Sequence, residues 1–291
     1  MSAADPTRTS AGPVHSSRGT SVLHRTLRDP RAVAGALAAL AVLVLAVAGP
    51  WFVTTSPTAF VGAPFDGPSP GSPLGTDVLG RDVLSRLLVG GRTFVLEGFG
   101  ATLLGVGLGA LLGTGMAVLP TRTGQWLLTL NDTFIVIPQI LVSLLVITRF
   151  GASPTVLVAV VAVAHVPHTA RVMRAAAQRV VEEDYVAAAR GFGTPRGRIL
   201  THEVLPVVAP TLLVELGVRL AASFVLLASL NFLGFGSSGL EWGRMIQDNK
   251  GGVSVQPWAV LAPVGVLAVL LIGMNLLRDG VSRAISARSA R

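Results

Sequence analysis

Residues 94–119 read FVLEGFGATLLGVGLGALLGTGMAVL, twenty-six positions with one ionisable side chain, Glu97. A helix needs roughly 20 apolar residues to cross about 30 Å of hydrocarbon. This stretch is long and apolar enough to do so. Within it Ala101, Gly105, Gly109 and Gly113 recur every four residues, a small-residue stripe that lets a second membrane helix approach closely. The run Gly105-Val106-Gly107-Leu108-Gly109 resembles a nucleotide loop only superficially, because no strand precedes it and the flanks are helical and apolar.

Similar runs lie on either side. Spans are expected at about 32–53, 94–119, 126–147, 154–172 (with Pro167 inside), 210–233 and 258–277. The fold class is therefore an all-α membrane protein with six transmembrane helices. Only 13% of residues are charged, about half the share of a water-soluble domain. Ala46-Val47-Ala48 looks like a signal-peptidase site. The apolar stretch before it is longer than a signal core, so a retained first helix is expected, and cleavage would leave five spans.

Around this membrane domain (32–281) we expect a disordered tail at 1–31, an extracytoplasmic segment at 54–92, a cytoplasmic loop at 173–207 and a cytoplasmic tail at 282–291. Basic residues set the orientation. Sixteen arginines fall on the side holding both termini, against five arginines and Lys250 on the other, and Arg219 lies within a span. The positive-inside rule then places both termini in the cytoplasm. The net charge of +8 is accounted for by these loops, and no basic domain free of the membrane is left for nucleic acid.

Few residues could carry chemistry. The chain has no cysteine, which excludes disulfides and thiolate sites. Its one lysine, Lys250, sits in Asn249-Lys250-Gly251-Gly252, so no Walker A motif exists and any ATP must be bound by another chain. His165 and His168 share a helical face but lack a third ligand, so no metal is expected. Glu215 and Arg219, four residues apart in the fifth span, read either as an intrahelical ion pair or as lining of a pathway. No nucleophile–base pair emerges, and no enzymatic activity is expected of the chain.

The cytoplasmic loop is the most informative. Its core is Glu182-Glu183-Asp184-Tyr185-Val186-Ala187-Ala188-Ala189-Arg190-Gly191-Phe192-Gly193-Thr194-Pro195. Acidic residues favour a helix N-terminus, alanines propagate it, and Gly193 before Thr194-Pro195 can stop it. A short helix with small side chains could seat in a groove of a soluble partner.

These residues resemble the inner-membrane permease subunits of ABC importers of the dipeptide/oligopeptide/nickel type. Ala187-Ala188-Ala189 through Gly193, then Ile199, Leu205 and Pro206, is similar to the family's EAA loop. So are Pro73 to Arg86 (PLGTDVLGRDVLSR), Asn231-Phe232-Leu233-Gly234-Phe235-Gly236 with Glu241-Trp242-Gly243, and Asn275 to Gly280 (NLLRDG). The resemblance implies a type I permease bundle coupled through Tyr185, Ala187, Ala188, Ala189, Arg190, Gly193, Ile199, Leu205 and Pro206. It also implies a second homologous permease, two ABC ATPase subunits that hydrolyse the ATP, and an extracytoplasmic substrate-binding protein, with no cofactor on this chain. Peptides are the default cargo, with nickel or another small solute open. Three positions depart from the pattern: Ala187 stands where the EAA glutamate is usual, Leu227 where a glutamate is frequent, and Ser282-Arg283-Ala284-Ile285 replaces an acidic ending. The rival readings are a secondary transporter or channel acting alone, and a membrane anchor for a cytoplasmic partner.

Overall fold

A computed structural model of the chain describes Thr26 and residues 28–289. The expected disordered tail therefore falls almost wholly outside the described residues. Its last two positions, Pro30 and Arg31, already belong to the first helix, α1 (Pro30–Ala48), which Asp29 caps by accepting from the Arg31 N–H at 3.0 Å. After an extended segment come α2 (Val83–Val118), α3 (Thr121–Val136), α4 (Gln139–Phe150) and α5 (Pro154–Val181). A short α6 (Asp184–Gly191) precedes α7 (Leu205–Phe232), α8 (Trp242–Asn249) and α9 (Trp258–Ser289).

Five of the described helices are long and apolar enough to cross a membrane, and the bent pair α3–α4 makes a sixth span if counted as one. The expected third span is thus broken. It turns by 80° at Ile137-Pro138, where proline has no N–H to continue the helix. Polar side chains tie the break to α5: Asn131 Nδ2 donates to the Pro167 carbonyl at 2.8 Å and Gln139 Nε2 to the Ala164 carbonyl at 3.0 Å. Both bonds reach carbonyls of α5 at or within three residues of Pro167, which interrupts the hydrogen-bond ladder of that helix.

Helix boundaries exceed the spans. α2 starts at Val83 because Asp82 caps it, accepting from the Ser85 N–H at 2.9 Å, so the last turns of the supposed extracytoplasmic segment 54–92 are helical. α5 runs nine residues past Val172, and α9 continues through the supposed tail at 282 as far as Ser289. Hydropathy marks where a helix leaves lipid; it does not mark where the helix ends.

Packing follows the small residues. A side chain at Gly105 would meet the Ala162 carbonyl at 2.6 Å, one at Gly109 the Thr169 Cβ at 2.7 Å, and one at Gly113 the Ala170 carbonyl. The stripe therefore lies on α5, as a packing surface. α1 and α9 cross in the same way at Gly35 and Gly273. The main core gathers Phe94, Phe224 and Trp242, with ring centroids 5.3 Å apart for Phe94–Phe224 and 5.6 Å for Phe94–Trp242. A second cluster joins Ala110, Ala117 and Val118 of α2 to Met173 and Val180 of α5.

Candidate functional site

The second cluster is where the loop is anchored. Two residues separate the end of α5 from α6, which carries Asp184 in its first turn and Arg190 in its last, both favourable to the helix dipole. Gly193 (φ +79°) closes it: its N–H reaches the Arg190 carbonyl at 2.9 Å, and the Thr194 N–H reaches Ala189 at 3.1 Å. That pair of bonds is a Schellman cap, which needs the left-handed conformation glycine adopts freely.

One side chain seats the helix. Val186 is fully buried in the cluster, beside Ile199, Val204 and Val208 from the chain that returns to α7. Residues 199–204 make a π-helical turn, and Leu205 and Pro206 begin α7. The expected loop residues therefore divide. Ile199 is an anchor, Leu205 is half-buried, and Ala189 is partly covered, while Tyr185, Ala187, Ala188, Arg190, Gly193 and Pro206 are exposed. Slight desolvation, then the charges of Glu203 and Glu183, push the Tyr185 hydroxyl above its ordinary pKa. Ala187 faces outward, so the departure from the expected glutamate falls on the surface and outside the core.

Two important residues escaped the sequence reading. Val186 is the anchor, and Phe192, 89% exposed, is the most prominent apolar group on this face. An aromatic residue in an otherwise polar turn was the available signal for Phe192. For Val186 the signal was its spacing from the exposed alanines.

In α7, Arg219 Nε lies 2.6 Å from Glu215 Oε1, which also accepts from Thr169 Oγ1 at 3.2 Å. The ion-pair reading is the one these distances support. His165 and His168 diverge: Nε2 of His165 pairs with Ser223 Oγ at 2.7 Å, and Nε2 of His168 with the Gln139 amide at 2.6 Å. No group of three or more potential metal ligands occurs among the described residues.

At the opposite pole, residues 60–82 fold into a cap on α2 and α8. Asp77 accepts from the backbone N–H groups of Leu79 (2.8 Å) and Arg81 (2.9 Å), from Arg81 Nε (2.7 Å) and from Arg86 Nη1. Burial alone would raise its carboxyl pKa. The two N–H groups and the charges of Arg86 and Arg81 outweigh burial and hold it below the ordinary value. Asn249 of α8 accepts from the Val78 N–H at 2.9 Å, and Gln256 donates to the Leu74 carbonyl at 2.6 Å. Trp242 Nε1 donates to the Leu87 carbonyl at 2.8 Å. The Pro73–Arg86 and Glu241-Trp242-Gly243 stretches are thus parts of one interlocked region.

Residues 105–289 match the family described as binding-protein-dependent transport system inner membrane component. The chain is 28% identical to the probable D,D-dipeptide transport system permease protein DdpC of Escherichia coli (strain K12), over 87% of this chain and 86% of that one. It is 35% identical to the peptide transport system permease protein SapC of Escherichia coli O6:H1, covering 74% and 73% of the two chains. Identity to the di/tripeptide transport system permease protein DppC of Pseudomonas aeruginosa is 29%, over 88% of each chain.

Proposed function

The chain belongs to the family of inner-membrane components of binding-protein-dependent transport systems, and from that premise we propose that it forms half of an ATP-driven import pathway for peptides. The peptide assignment draws on relatives that are themselves peptide and dipeptide permeases. A homologous permease supplies the other half, two ATPase subunits bind and hydrolyse the ATP, and a binding protein delivers cargo to the pole carrying the 60–82 cap. Both termini and α6 lie in the cytoplasm.

The observation that carries this reading is the seating of α6. A short helix is fixed to the membrane domain by Val186 and presents Tyr185, Ala187, Ala188 and Phe192 outward. Small side chains allow close approach to a partner groove, and one exposed aromatic supplies the contact energy typical of an interface anchor. Movement of the ATPase pair is then transmitted through α6 to α5 and α7, and the bundle changes the face it opens. For ATP to drive that change, it must bind one arrangement more tightly than the other.

The test is co-purification of the ATPase subunits with the chain, followed by peptide uptake in cells carrying Gly193→Val. The substitution forces a β-branched residue into the left-handed region and opens the cap of α6. We expect loss of ATPase association and of uptake while the chain still reaches the membrane. Unchanged association and uptake would overturn the proposal.

A further inference from the structure

Beside α6 the chain forms a cavity of about 410 Å³ that the coupling role leaves unexplained. Its polar wall holds Arg171, Arg174 and Gln178 from α5, Arg190 from α6, and Thr121 and Gln125 from α3. No carboxylate lines it. The α5 residues recur at helical spacing, so three guanidinium groups from two helices converge on one space. Arg171 has only a loose pairing with Asp132, at 3.8 Å, and neither Arg174 nor Arg190 has an ion pair among the described residues. Arg174 Nε is buried without a hydrogen-bond partner. Cations gathered in this way repel one another unless an anion joins them.

The rest of the wall is apolar, with Met116, Leu119, Leu128 and Val181. Next to Gln125, Trp126 stands 70% exposed on the outer face of α3, with Leu130 (52%) and Phe134 (62%) following along the same helix. Exposed tryptophan is characteristic of the headgroup level of a membrane, with apolar residues deeper. A basic pocket between membrane helices at that level suits a phosphate headgroup, and arginine can hold phosphate through two parallel N–H bonds.

We propose that this cavity binds the phosphate-bearing headgroup of an anionic phospholipid, with the acyl chains lying along the apolar side of α3. Because Arg190 belongs to α6, the bound lipid fastens α6 to the membrane surface. This last consequence rests on the coupling role of α6; the lipid site itself does not.

The test uses the full chain, without ATPase partners, in nanodiscs and in detergent. Native mass spectrometry would follow retention of phosphatidylglycerol against phosphatidylcholine. We expect preferential retention of phosphatidylglycerol, weakened at least tenfold by Arg174→Gln and little changed by Arg196→Gln, which removes a charge outside the cavity. Equal retention of the two lipids would overturn the proposal. So would equal weakening by both substitutions, which would indicate diffuse surface charge. Displacement of phosphatidylglycerol by millimolar inorganic phosphate would also overturn it, by assigning the cavity to a soluble anion. If lipid retention behaves as expected while ATPase association proves insensitive to α6, the coupling reading fails and the lipid site stands.

Discussion

Arg86 and Asp77, nine residues apart, form an ion pair in which both side chains are fully buried. The other arm of the guanidinium donates to the Gly239 carbonyl at 3.1 Å and lies 3.5 Å from Asp248, so one arginine joins the cap, the loop after α7, and α8. Leaving one partner of a buried pair uncompensated costs about 3–5 kcal/mol, and the looser contact with Asp248 would offset only part of that for Arg86. Asp77→Ala should therefore lower the melting temperature of the purified chain sharply, and Asp77→Ala with Arg86→Met should recover much of the loss. A single substitution as mild as the double one would show that the pair is not isolated from water.

Acid should act at the same place. The Asp77 pKa is lowered in the folded chain, so its stabilising contribution is complete above the ordinary carboxylate value, about 4, and is lost as pH falls through the lowered value. Neutral and mildly acidic conditions should leave the cap intact. Thermal melts from pH 6 to pH 3 should show an acid-dependent loss that is smaller in Asp77→Asn. Identical pH profiles for the two proteins would remove Asp77 as the titrating group.

Val186→Ala deletes two methyl groups from the seat of α6. Truncation of a buried aliphatic side chain of this size costs about 2 kcal/mol. Hydrogen exchange in 184–191 should accelerate while exchange in α2 and α7 stays unchanged. Uniform acceleration throughout the chain would mean that the seat is part of the global core.

Phe192→Ala should do the reverse. The ring is almost wholly exposed, so melting temperature should not change, yet ATPase affinity should fall roughly thirtyfold if the residue is worth about 2 kcal/mol as an interface anchor. Titration of purified ATPase against the chain in nanodiscs measures this directly.

The glycine stripe offers a matched comparison. Gly109→Leu places a side chain against Thr169 and the Val166 carbonyl, whereas Gly107 has nothing within 4 Å of the same position. Overpacking costs about 1–3 kcal/mol, so Gly109→Leu should destabilise and Gly107→Leu should be neutral. Equal effects would mean that helix propensity, rather than contact with α5, governs both sites.

The sequence made some of these features plain and hid others for physical reasons. Apolar runs and the every-fourth-residue stripe are local patterns, and the spans and the face of α2 that packs were legible from them. Gly193 as a helix stop was likewise local. The break at Pro138 was visible as a proline inside an apolar run, but its 80° bend depends on tertiary bonds from Asn131 and Gln139 to α5. Contacts between distant residues were out of reach. Ser237 donates to Glu97 across 140 positions at 2.6 Å, and nothing in either neighbourhood announces the other. The extension of α5 past Val172 was missed because polarity, which rises there, says nothing against a helix rich in alanine.

The contact between α2 and α5 has a mechanical meaning. Gly105, Gly109 and Gly113 let α2 lie directly on the α5 backbone at Ala162, Val166 and Ala170, with only the short Thr169 side chain and the Cβ of His165 beside them. So close a contact favours the two helices moving together. α5, with 28 residues, is about 42 Å long, so a tilt of about 10° about its α6 end would carry its far end through about 7 Å. On the proposed coupling role of α6, that length would turn a small stroke at α6 into a displacement on the scale of an amino-acid side chain at the other end of α5.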